Sequence, residues 1–282
     1  MPPQTVDGQS SSIHLKAFLI AGICLTFLCV LTARHLFLHD VAWPQGWFNA
    51  FDVDIVRYVN QLGTRWPWLD PVVRVFVDHN LLKDGPIVLL LWIAFFPPTG
   101  SAGEILERRR KVAATVSLAL FGVVLARILA MVFPFRERPL RTVALHFQTP
   151  HMLSPQVLYG WSSFPSDHAV LLVTLAVGLL MVSRVLGAVA LVFTLAVNIF
   201  LRLYLGLHWP TDLLAGALIG VGLASVAYLT AYRNFVWRLV TRCWQRSPGV
   251  SAAFVFVLSY EVIDMFEGPL TLAKALLKHH LR

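Results

Sequence analysis

FPSDHAVLLVTLAVGLLMVS, residues 164–183, sets two kinds of sequence side by side. From Ala169 to Ser183 the run carries no charge, as a helix crossing hydrocarbon requires. Immediately before it stand Pro165, Ser166, Asp167 and His168, so a breaker, a hydroxyl, a carboxylate and an imidazole gather at the mouth of an apolar helix. Ionisable groups at such a place are costly and mark a site by default.

Outward from this stretch, the chain divides into similar runs. Ala17 to Ala33, Val112 to Ala126, Val185 to Leu201 and Leu213 to Tyr232 are the other clear apolar segments. A shorter one, Gly85 to Phe96, is closed by Pro97 and Pro98 and must borrow from Leu81, Leu82 and Lys83, the lysine snorkelling. Six crossings are therefore expected, giving an all-α, polytopic membrane helix bundle. Trp43, Trp47, Trp66 and Trp68 punctuate the mixed stretch after the first run and predict interfacial helices, with a small extramembrane cap as the alternative.

Composition agrees. Of 282 residues, 57% are hydrophobic and 13% charged, and mean hydropathy is +0.69. That excludes an ordinary soluble domain and a disordered chain. The net charge of +8 would suit nucleic acid in a soluble protein, but the basic residues flank apolar runs, so no nucleic-acid partner is expected. Three cysteines, Cys24, Cys29 and Cys243, form neither a disulfide framework nor a metal motif. The first run lacks a cleavage site and reads as a retained anchor.

Alternation of six crossings puts Arg108 to Lys111, Arg184, and Arg233 with Arg238, Arg242 and Arg246 on one side, the cytoplasm by the positive-inside rule. The expected organisation is a cytoplasmic segment 1–16, a six-helix domain 17–232, and a cytoplasmic basic and amphipathic tail 233–282. Within that tail, Ser251 to Phe266 is apolar but broken by Glu261 and Asp264, which predicts an interfacial helix on the cytoplasmic side rather than a seventh crossing. Gly216 and Gly220 give the last crossing a small-xxx-small face for close packing.

Three polar clusters then share the outer face: Phe133 to Pro139, Phe164 to His168, and Arg202 to Asp212. Two lie at helix starts, where unpaired N–H groups and the dipole attract an anion. Arg138 and Arg202 offer planar, bidentate donors and Ser166 a hydroxyl, a set suited to a phosphoryl group. No acidic cluster suited to magnesium accompanies them, so no metal or other cofactor is expected. Phosphoryl transfer then needs a nucleophile, a charge clamp and an acid for the leaving oxygen. His208 fits the nucleophile if neutral and oriented, Asp212 can accept from its other ring nitrogen, and His168 can protonate the departing oxygen. The remaining histidines, among them His35, His39, His79, His146 and His151, show no metal-binding spacing.

The order of these clusters resembles the three-part signature of the type 2 phosphatidic acid phosphatase (PAP2) superfamily: K-x6-R-P, P-S-G-H, then S-R-x5-H-x3-D. The third part matches at Arg202, His208 and Asp212, the second at Pro165, Ser166 and His168, the first at Arg138 and Pro139. With the helix layout the resemblance covers about Ala17 to Tyr232. It implies a phosphohistidine formed on His208, Asp212 as its orienting partner, and His168 as general acid.

Three positions depart from the pattern. The first-motif lysine falls at Met131, and Arg127, one turn earlier, is the candidate replacement cation, an interhelical ion pair being its alternative use. Asp167 stands where the pattern has glycine, and Leu201 where it has serine. The variant Pro-Ser-Asp-His, with Arg-Glu-Arg-Pro upstream, is similar to bacitracin-resistance-type undecaprenyl pyrophosphate phosphatases. The resemblance thus implies undecaprenyl pyrophosphate as substrate, with phosphatidate or phosphatidylglycerol phosphate as alternatives, and a bacterial inner membrane with the site facing the periplasm or exterior. A catalytically silent protein that only binds lipid phosphates is the non-enzymatic alternative. Vanadium haloperoxidases share the anion pocket but are soluble.

Overall fold

A computed structural model describes residues 47–148 and 160–266, so the expected first crossing, Ala17 to Ala33, lies outside the described residues. Among the described residues the chain is helical throughout: α1 (Trp47–Arg65), α2 (Leu69–Asp78), α3 (Asn80–Lys83), α4 (Gly85–Phe95), α5 (Ala102–Val132), α6 (Asp167–Val182), α7 (Arg184–Tyr204), α8 (Pro210–Val226), α9 (Thr230–Arg246) and α10 (Pro248–Asp264). The middle of α7 is a π-helical segment, Thr194–Ile199, where Asn198 donates to the carbonyl of Lys83 at 3.0 Å. By length and apolarity α5 and α7 qualify as membrane spans, and α8 with α9 makes a third if that pair, bent by 81°, is one span.

Local signals set these boundaries. A reciprocal cap opens α5: Ser101 Oγ accepts from the Glu104 N–H at 3.3 Å, while a Glu104 oxygen accepts from the Ser101 N–H at 2.8 Å. Pro134 stops it at Phe133. Ser166 caps α6 through the Ala169 N–H, and Ser183 both ends α6 and caps α7. In α8, Pro210 occupies the first turn, where its missing N–H costs nothing.

The most buried element is α6. Leu171, Leu172, Leu175 and Leu179 are shut into a core with Ile87, Leu91, Val112, Ala119 and Val123 from α4 and α5. Against its other side α8 packs through Gly216 and Gly220, as the small-residue spacing predicts. A Cβ on Gly216 would stand 2.5 Å from the Ser166 carbonyl oxygen, and one on Gly220 would stand 3.0 Å from that of Val170. The outward faces of α4, α5 and α7 stay apolar and exposed, at Leu89, Phe121, Val124, Met131, Val132, Val185 and Val192, as lipid contact requires.

Because α5 is 31 residues, about 46 Å long, its ends label the two ends of the bundle. At the first end Arg109 donates to Phe95 at 3.2 Å, Lys111 to Met181 at 3.5 Å, and Glu107 pairs with Arg233 at 2.9 Å. The C-termini of α4 and α6 and the start of α9 thus gather at the basic stretch. The opposite end carries all three polar clusters. Across that end lie α1 and α2, where Val59, Leu62, Leu69 and Val73 pack on Leu201, Tyr204 and Leu205. Trp66 and Trp68 remain exposed there, 44% and 62%.

The tail departs from expectation. Instead of staying with the basic end, α10 brings its C-terminus to the cluster end: Asn80 donates to Asp264 at 2.9 Å and Arg127 donates to the Met265 carbonyl at 2.9 Å. The physical reason is the pairing need of Arg127, since a helix end offers carbonyls without intrahelical partners.

Candidate functional site

Backbone bonds knit the three motif segments together. The Ser163 N–H donates to the Arg136 carbonyl at 2.9 Å, the Ser166 N–H to that of Asp212 at 3.2 Å, and the Leu140 N–H to that of Gly206 at 2.9 Å. Trp209 Nε1 adds a bond to the Glu137 carbonyl at 2.8 Å. Segments up to 66 residues apart, Leu140 and Gly206, are therefore held by backbone groups whatever their side chains.

His208 is buried in the turn between α7 and α8. Its Nδ1 lies 2.8 Å from the Ser163 carbonyl oxygen, which only accepts, so Nδ1 carries the proton and Nε2 the lone pair. Nε2 faces the Arg138 guanidinium at 3.4 Å. Burial first, and the Arg138 charge second, hold this imidazole below its ordinary value, with the Asp212 carboxylate opposing. The ring is neutral at pH 7 with a defined tautomer.

Arg138 is anchored by the carbonyls of Leu207 and Ser162, the latter at 3.2 Å. Burial lowers it to about 10 against the opposing charges of Asp167 and Asp212, which leaves it cationic at neutral pH. Arg202 is buried at the end of α7, close enough to act electrostatically on both Arg138 and His168. The cationic pair expected from the sequence is thus brought together. Ser166 is fully buried, its oxygen accepting from the Ala169 N–H at 3.4 Å, and this cap does not use its hydroxyl proton.

Two predicted contacts are differently arranged. Asp212 lies 3.8 Å from His208 Nδ1, outside hydrogen-bond distance. Its oxygens instead accept from the Trp209 N–H at 2.8 Å and from Arg136. Arg136 reaches on to Asp52 of α1, and Asp52 also accepts from the Thr211 N–H at 2.9 Å. The ring's orienting acceptor is the Ser163 carbonyl because Asp212 is held by a buried arginine. Arg127 pairs with Asp167 at 3.5 Å and donates to Met265, so its guanidinium is engaged by a carboxylate and a carbonyl. Met131, at the first-motif lysine position, is 70% exposed and turned to the lipid side.

His168 opens α6 with its Nδ1 3.0 Å from Asp167 Oδ1. Lys83, at the end of α3, acts on the same ring electrostatically, bringing a further cation that sequence spacing does not signal. Asp52 and Ser163 were equally unforeseen: Asp52 sits in a distant helix, and Ser163 acts through its backbone. Among the described residues no three His, Cys, Asp or Glu side chains gather in a way that would hold a metal ion.

The PAP2 superfamily model matches residues 110–236. The bacitracin transport permease protein BcrC of Bacillus licheniformis is 27% identical over 195 residues, 69% of this chain and 88% of that protein. The undecaprenyl-diphosphatase BcrC of Bacillus subtilis (strain 168) is 23% identical over 68% of this chain and 91% of its own. The lipid A 1-diphosphate synthase of Escherichia coli (strain K12) is 28% identical over 74% and 87%. No solved structure matches the chain with significance. The matched region takes in all three converging motifs, and its likeness to the PAP2 superfamily, together with the phosphatase-named relatives, supports a phosphoric-ester hydrolase.

Proposed function

We propose that the chain is a metal-independent membrane lipid phosphatase that works through a phosphohistidine. One observation carries the reading: a neutral imidazole whose Nδ1 is tied to a carbonyl turns Nε2 toward a buried guanidinium. Arg138, Arg202 and the Ser166 hydroxyl bind the phosphoryl oxygens and stabilise the charge that develops on them. His208 Nε2 attacks the terminal phosphorus, an N–P bond forms, the bond from that phosphorus to the bridging oxygen breaks, and His168 gives its proton to the departing oxygen. Water then attacks phosphorus, the P–N bond breaks, and His168 takes the proton from water. Asp212 supports the turn electrostatically and through the Trp209 N–H. Arg127, expected as a phosphate cation, pairs instead with Asp167 and the Met265 carbonyl.

Undecaprenyl pyrophosphate, cleaved to undecaprenyl phosphate, is the substrate we favour. The Pro-Ser-Asp-His variant and the relative named undecaprenyl-diphosphatase support it. The setting is a bundle of about six crossings, with the basic end cytoplasmic and the site at the outer face of a bacterial inner membrane. The test is phosphate release in EDTA from undecaprenyl pyrophosphate, phosphatidate and phosphatidylglycerol phosphate. Preference for the first is expected. Release from none, with binding retained, would make the protein a silent lipid-phosphate binder.

A further inference from the structure

The residue that departs from the family pattern beside the acid histidine is built into a relay. Asp167 Oδ1 accepts from two groups of His168, the backbone N–H at 2.8 Å and ring Nδ1 at 3.0 Å. Its other oxygen, Oδ2, faces Arg127 Nε at 3.5 Å, and the same guanidinium donates to the Met265 carbonyl at 2.9 Å. Arg127, Asp167 and His168 therefore form one line from the far end of α10 to the site. All three side chains are only partly exposed, 22%, 26% and 15%.

This arrangement sets the chemistry of the ring. An ionised carboxylate only accepts, so Nδ1 must be its donor, and Nε2 is left as the nitrogen that gives and takes a proton. Two bonds to one oxygen tie the carboxylate and the ring together and hold the ring against rotation. A glycine at this position has no side chain to do this. The Arg127 guanidinium in turn fixes which way the carboxylate faces.

We infer that Asp167 is a positioning residue for His168, and that Arg127 acts through Asp167 rather than on the phosphate. The inference rests on the reading of His168 as general acid. It requires that losing Asp167 hurts most where the leaving oxygen most needs a proton, because a poorly held acid contributes less to breaking that bond.

The experiment compares kcat/KM for decyl phosphate and p-nitrophenyl phosphate, two monoesters with the same phosphoryl group. The aliphatic alkoxide needs protonation and the nitrophenolate does not. Since kcat/KM covers the steps through departure of the leaving group, later hydrolysis of the phosphoenzyme does not mask the effect. His168→Ala should lower the alkyl-to-aryl ratio about 100-fold. Asp167→Asn and Asp167→Gly should each lower it about tenfold, Arg127→Met should lower it in the same direction, and Arg127→Met with Asp167→Asn should be no worse than Asp167→Asn alone. Two variants at Asp167, compared by ratio at matched melting temperature, separate positioning from misfolding. If His168→Ala shifts the ratio while both Asp167 variants leave it at the wild-type value, the inference is overturned and the general acid stands. If His168→Ala itself leaves the ratio unchanged, the general-acid reading fails and takes the inference with it. An Arg127→Met variant that raises KM equally for both esters, in an Asp167→Asn background as well, would return Arg127 to phosphate binding.

Discussion

His208 Nδ1 lies 2.8 Å from the Ser163 carbonyl oxygen, a contact that ties the third motif to the segment just before the second. A backbone acceptor cannot be removed by changing a side chain, so the tautomer is set by the path of the chain. Asp212, at 3.8 Å, contributes charge without the bond. His208→Ala should lower turnover by several orders of magnitude, and no phosphoenzyme should be trapped. Asp212→Asn should keep a measurable residual rate, with the phosphoenzyme still formed. Full activity in His208→Ala would remove it from the mechanism.

The pH profile follows from the burial of His208. Its protonated form is disfavoured inside the protein, so the neutral nucleophile persists as pH falls through the ordinary histidine value and is lost only on passing a lower one. The acid limb of kcat/KM common to several substrates should therefore lie below about 6.5. A common limb at or above that value would show that the ring is not buried and neutral in the working enzyme.

Asp52 is 1% exposed and pairs with Arg136, which also holds Asp212. Asp52→Ala leaves that buried arginine with one carboxylate fewer, a loss expected to cost about 3–5 kcal/mol of stability. Thermal unfolding in detergent should show the drop, and Asp52→Asn should recover part of it through Thr211. An unchanged transition would mean that α1 does not close over this end of the bundle.

Close packing of α8 on α6 makes a graded series. Alanine at Gly216 would place its Cβ 2.5 Å from the Ser166 carbonyl oxygen, whereas at Gly220 the nearest atom is 3.0 Å away. Gly216→Ala should destabilise by about 1–3 kcal/mol and disturb the motif carried by Ser166, and Gly220→Ala should do less. Equal stability losses would show that the two helices shift without strain.

Topology is open to labelling in a cysteine-free background. Gly160 and Gly103 are both exposed, at the cluster end and the basic end respectively. A cysteine at 160 should react with an impermeant reagent in intact cells and one at 103 should not. The reverse pattern would place the site in the cytoplasm.

Periodicity, charge placement and spacing were enough to read from the chain an all-helical membrane protein, the packing role of Gly216 and Gly220, and the order of the three polar clusters. Each of these depends on neighbours within a turn or two, or on the cost of burying charge in lipid, which composition reports directly. Partner choice was not legible. That Arg136 rather than His208 holds Asp212, that Ser163 orients the ring, and that Asp52 and Lys83 reach the site depend on contacts between segments far apart in sequence. Met131 and Arg127 show the same limit: one turn of helix separates them, yet one faces lipid and the other meets Asp167 and the end of α10. Only the folded bundle decides which buried charge finds which partner, because a carboxylate pairs with the cation that packing brings nearest, whatever their distance along the chain.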